Sequence, residues 1–82
     1  MVKYALRAIR KKGIMPCVLN ATDEVAVNAF LNHEISFLDI EKLIKLSLKQ
    51  FNNLKHPSLN DLIKTDKEAR AWALSMIKGG IF

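Results

Sequence analysis

Apolar residues recur three and four positions apart in several stretches of the chain, and no long run alternates apolar with polar at period two. That spacing predicts helices and no sheet. In the first stretch Val2, Ala5, Leu6 and Ile9 share one side of a helical wheel and Lys3, Arg7, Arg10 and Lys11 the other, with Gly13 stopping the helix. A loop containing Pro16 then leads to Asn20, which with Asp23 three residues on has the spacing of a capping box and predicts the start of a second helix. Val25, Ala26, Val27, Ala29, Phe30 and Leu31 cover most of the circumference of that helix, which places it in the middle of the fold.

Ser36 and Asp39 repeat the capping spacing and open a third helix ending near Phe51, with Phe37, Ile40, Leu43, Ile44, Leu48 and Phe51 on its apolar stripe. Glu41, Lys42, Lys45 and Lys49 form its wet face. After Asn52, Asn53 and Pro57, Ser58 with Asp61 predicts a short helical turn, and Thr65 with Glu68 a longer helix that buries Ala69, Trp72, Ala73 and Met76 and ends at Gly79 and Gly80. Four helices joined by short connections predict an all-α fold, a small four-helix bundle with the second helix central.

With 82 residues, half of them hydrophobic, the chain makes one domain spanning residues 1–82. A domain of this size buries only about 60% of its unfolded surface, so one modest core must hold it. Cys17 is the only cysteine and has no internal partner, which fits a reducing compartment and a small buried hydrophobe. No apolar run approaches the roughly 18 residues of a membrane span, and the N-terminus lacks a signal-peptide pattern. The expectation is a soluble, cytoplasmic domain with no membrane partner.

Little in the sequence speaks for catalysis. Asp23, Asp39, Asp61 and Glu68 each stand three residues after a capping Asn, Ser or Thr, where a carboxylate also favours the positive end of a helix. His33 and His56 lie far apart without a partner at metal-ligand spacing, and His33 beside Glu34 reads as a cation against a helix C-terminus. The glycines build no phosphate cradle, and Ser47 and Ser75 have no histidine nearby in sequence. No catalytic, cofactor-binding or metal-binding residue is expected. The net charge of +5, densest at Lys3, Arg7, Arg10, Lys11 and Lys12, raises nucleic acid as a partner, but no helix-turn-helix register or aromatic platform accompanies it. Three leucines fit an isolated bundle poorly: Leu38, projecting among Lys45 and Lys49, Leu46, off the apolar stripe, and Leu74 on the last helix. A helical module built to dock would show such residues.

The run from Pro16 through Leu31, PCVLNATDEVAVNAFL, resembles the hallmark of the C-terminal domain of 1-deoxy-D-xylulose 5-phosphate reductoisomerase. The resemblance continues through Ile35, Phe37, Asp39 and Ile40, then Pro57-Ser58-Leu59 with Asp61, and Asp66 with Glu68-Ala69-Arg70. The sequence has Thr22-Asp23 where the family more often has Ala-Asn; on this reading Asp23 still serves as a cap partner. The resemblance implies a homodimeric parent enzyme of non-mevalonate isoprenoid biosynthesis that rearranges and reduces its substrate with NADPH and a divalent metal, Mg or Mn. It places the NADPH-binding domain and the catalytic domain with its metal before Met1, so no family site residue carries over to this chain. It makes this domain an arm packed against the catalytic domain, with Leu38, Leu46 and Leu74 as candidate inter-domain contacts. The competing expectation is a free-standing basic helical module that binds protein or nucleic acid.

Overall fold

The computed structural model of the protein describes residues 13–51 and 56–80. All regular structure among them is helical: α1 spans Met15–Leu31, α2 Phe37–Gln50 and α3 Leu59–Lys78. The predicted basic first helix lies outside the described residues, which hold three of the four helices expected.

The start of α1 corrects the sequence reading. The helix begins at Met15 with Pro16 in its first turn, not at Asn20. Proline at that position forfeits nothing, because the first N–H groups of a helix have no intrahelical acceptor and the ring's fixed φ is already helical. Asn20 therefore stands exposed inside α1, and neither its side chain nor that of Asp23 caps the start of this helix. The expectation of an apolar circumference fails too, since Asn20, Glu24, Val27, Asn28 and Leu31 form an exposed strip. The opposite side of α1, with Met15, Val18, Ala21, Thr22, Val25, Ala26 and Ala29, is buried.

The C-terminus of α1 is a Schellman turn. Asn32 donates to the Asn28 carbonyl at 3.0 Å, His33 to Phe30 at 3.0 Å and Glu34 to Ala29 at 2.8 Å. This pattern needs a left-handed residue after the helix, and His33 takes it with φ 61°. His33 thus lies at the end of α1 as expected, but its part there is a backbone one. A side chain with a Cβ in this conformation costs roughly 1 kcal/mol that glycine does not. His33→Gly is therefore expected to stabilise the domain by about 1 kcal/mol, read as a higher melting temperature. A lower melting temperature would show that the imidazole contributes more than the strain it imposes.

The turn sends α2 back along α1, with Phe37 meeting Phe30 edge to face at 5.8 Å between ring centroids. The Ser36 capping box is present: Ser36 Oγ accepts from the Asp39 N–H at 3.3 Å and Asp39 Oδ2 accepts from the Ser36 N–H at 2.9 Å. The hydrogen bond from the Ser36 N–H, foremost, holds the Asp39 carboxyl below its ordinary value. Ile40, Leu43, Ile44 and Leu48 are buried as predicted, but Phe37 is 68% exposed. Ser47 joins the buried stripe because its hydroxyl donates to the Ile44 carbonyl at 2.6 Å.

Ser58 and Asp61 form the second capping box, at 3.1 and 2.9 Å. Here too the sequence reading is corrected, for one helix runs from Leu59 to Lys78 where a turn and a separate helix were expected. Neither proline nor glycine interrupts residues 59–78, and Thr65 is buried inside the helix instead of capping a new one. Cys17 lies by Leu62 and Glu24 by Arg70, an order that makes α3 parallel to α1. The core lies where α1 meets both other helices; Ala21, Ala26, Ala69 and Ala73, all inaccessible to solvent, let the helices approach closely.

Candidate docking surface

The reversal between α1 and α2 gathers the most exposed large apolar side chains of this end of the domain. Val27 is 37% exposed, Leu31 64%, Phe37 68% and Leu38 68%. Val27 and Leu31 are one helical turn apart on the outer strip of α1, and Phe37 and Leu38 open α2 directly after the Ser36 cap. Val27, Phe37, Leu38, Ile40 and Glu41 line a shallow, largely apolar groove of about 380 Å³. The Schellman turn, by backbone hydrogen bonds, and the capping box, by side chains bonded to backbone N–H groups, hold both walls of this groove, so the patch is presented on a rigid corner.

Of the three leucines singled out in the sequence, the structure gathers only Leu38 into this corner. Leu46, 37% exposed, lies two turns further along α2 and about 80° round its axis. Leu74, 45% exposed, borders a different hollow with Val25, Asn28, Ala29, Glu34 and Arg70. Sequence reasoning missed Val27 and Leu31 because it took α1 as apolar all round. Asn20, Glu24 and Asn28, four residues apart, already mark the outer strip that these two extend.

The polar groups are structural in character. Arg70 Nε donates to Asp66 Oδ2 and its Nη2 to Glu24 Oε2, both at 2.9 Å, tying α3 to α1. Those hydrogen bonds, with Glu24 first, push the guanidinium still further above its ordinary value. Together with buried Ala69, Asp66 and Arg70 account for the stretch that carried part of the family resemblance: it fastens one helix to another. The Cys17 thiol is half-buried and donates weakly to the Leu62 carbonyl at 3.5 Å. Burial, reinforced by the Asp66 carboxylate, pushes the thiol up. A thiol so placed is a poor nucleophile. His56 is exposed in the connection before α3.

Among the described residues no three His, Cys, Asp or Glu side chains converge as metal ligands, and no glycine-rich turn joins a strand to a helix. No described helix is long and apolar enough to cross a membrane.

Asp23 departs most from expectation. Its Oδ1 is shielded from solvent and accepts no hydrogen bond among the described residues, and burial pushes its carboxyl up. A raised carboxyl pKa means that the fold favours the protonated form. Its contribution to stability is full below the ordinary value of 3.8 and is lost as pH rises through the folded value. Asp23→Asn removes the charge and keeps the shape. It is expected to raise the urea midpoint at neutral pH and to leave it unchanged near about pH 3, where aspartate is itself mostly protonated. An equal gain at both pH values would assign the effect to something other than charge.

Comparison with known proteins gives this helical unit its family. The family described as DXP reductoisomerase C-terminal domain matches residues 1–72. The 1-deoxy-D-xylulose 5-phosphate reductoisomerase of Thermoanaerobacter pseudethanolicus is 47% identical over 69 residues, 84% of this chain and 18% of the relative. That of Halalkalibacterium halodurans is 43% identical over 75 residues, 92% of this chain and 20% of the relative. That of Bacillus pumilus is 45% identical over 74 residues, 90% of this chain and 19% of the relative. The chain thus spans about a fifth of the length of the curated relatives it matches. No solved structure matches it.

Proposed function

This chain belongs to the family of DXP reductoisomerase C-terminal domains, and from that premise we propose that it is the structural arm of a reductoisomerase. The parent enzyme converts 1-deoxy-D-xylulose 5-phosphate to 2-C-methyl-D-erythritol 4-phosphate with NADPH and a divalent metal, as a cytoplasmic homodimer, in non-mevalonate isoprenoid biosynthesis. The arm itself is inactive: it packs against the catalytic domain and supports it, and Leu38, Leu46 and Leu74 are candidate contacts. The observation that carries this reading is that the family match covers residues 1–72 of the 82, while the matched relatives are about five times longer.

The physical contribution of such an arm is positional. Displacing a catalytic group by an ångström costs on the order of 100-fold in rate, so a rigid neighbour that holds the catalytic domain in shape affects turnover without touching substrate. The two capping boxes, the Schellman turn and the Arg70 bridge give this unit the stiffness that role needs.

The test uses the Thermoanaerobacter pseudethanolicus enzyme in two forms, one with its matched region deleted and one with this chain in its place. Deletion is expected to abolish activity or cut thermal stability sharply, and the replacement to restore both. A deleted enzyme with normal activity and stability would overturn the reading.

A further inference from the structure

We infer that the corner formed by Val27, Leu31, Phe37 and Leu38 is the face on which the preceding polypeptide of the parent enzyme seats this domain; the inference rests on the arm reading. Leu31, Phe37 and Leu38 are between 64% and 68% exposed, although α2 buries Leu43 and Ile44 completely. Val27 shares one groove with Phe37 and Leu38, and Leu31 follows Val27 by one helical turn. A contiguous apolar patch on a rigid corner is costly to leave in water and marks an interaction surface.

The size of the patch selects its occupant. A stable complex between free copies buries roughly 800 Å² on each partner, more than four partly exposed side chains supply. A tethered neighbour needs less, because a short linker holds the two surfaces at an effective concentration in the millimolar range. The family is that of a C-terminal domain, and in the relatives about four-fifths of the chain lies outside the matched region. A small apolar contact made within one polypeptide suits both facts. Leu59 and Ile63, exposed at the start of α3, belong to a separate site and serve as the control.

The test places single-cysteine reporters in a Cys17→Ala background and measures maleimide labelling in the free chain and in the chimera with the Thermoanaerobacter pseudethanolicus enzyme. Leu38→Cys is expected to label at least tenfold more slowly in the chimera than in the free chain, with Leu59→Cys unchanged. Slowing at Leu59→Cys alone would leave the arm reading standing and overturn this face. Slowing at neither would overturn this face, and the arm reading falls only if the chimera also fails to differ from the deleted enzyme in activity and stability. Concentration-dependent slowing of Leu38→Cys in the free chain, with a dimer in sedimentation, would replace the tethered occupant by a second copy. If the chimera is insoluble, hydrogen exchange of the natural relative gives the same decision. Its segment aligned with residues 27–41 should exchange more slowly in the whole enzyme than in the excised domain, and equal exchange would overturn the assignment.

Discussion

Leu43→Ala is expected to cost the domain about 3 kcal/mol, the middle of the range for removing a fully buried leucine. Leu43 is completely shielded and packs in the cluster that joins Met15, Val25 and Ala26 of α1 to Ile40, Ile44 and Leu48 of α2 and Ala73 of α3. Truncation removes three buried carbon atoms, the Cγ methine and two Cδ methyls, and leaves a cavity where all three helices converge. At roughly 0.05–0.15 kcal/mol per residue, a chain of this length has only about 4–12 kcal/mol of stability, so the loss is a large share of the whole. Urea unfolding followed by far-ultraviolet circular dichroism measures it directly. Leu38→Ala, on the exposed corner, should change the same quantity by less than about 0.5 kcal/mol. Equal effects at the two positions would contradict the burial pattern.

Ala69→Leu is expected to destabilise by about 2 kcal/mol for the opposite reason, excess volume. Ala69 has no accessible surface and lies against Val18 and Ala21 of α1, with Phe51 packed at the edge of the cluster. A leucine there must drive α3 away from α1, stretching the Glu24–Arg70 bridge and the Cys17–Leu62 contact on either side of it. Ala71→Leu, two residues on and exposed, is the matched control and should stay within about 0.5 kcal/mol of the parent. Thermal unfolding of the pair checks the prediction, and similar melting temperatures would mean that α1 and α3 are not in close contact at Ala69.

Both predictions bear on function. A buttress acts through rigidity, so changes that loosen the contact of α1 with α2 or α3 should lower the activity of the assembled enzyme in step with stability. Changes on the docking corner should loosen its seating in the enzyme while leaving the isolated domain as stable as before. Leu38→Asp and Leu43→Ala, compared in the chimera and in the free chain, separate these two modes of failure.

The parts of the fold legible in the sequence were those made by neighbours along the chain. Ser36 with Asp39 and Ser58 with Asp61 were read as caps and are caps, because a capping box is closed within four residues. The same spacing misled at Asn20 with Asp23 and at Thr65 with Glu68, since a capping pair inside a helix looks identical in sequence to one that starts it. Pro16 reads in the sequence as part of a loop, although proline is equally suited to the first turn of a helix, where the structure has it. The stripe Ile40, Leu43, Ile44 and Leu48 was legible from periodicity, and the family from the run beginning at Pro16.

Local spacing therefore determines that this chain is helical, where two of its helices begin and which family it belongs to, because caps, periodicity and motif all act over a few residues. The tertiary arrangement decides what that spacing leaves open. It buries Thr22 and shields Asp23 Oδ1 by packing helices round α1, joins Arg70 to Glu24, and leaves Phe37 and Leu38 exposed beside Val27 at a corner. Each of these depends on which surfaces distant segments bring together, and a side chain's burial is a property of its neighbours in space.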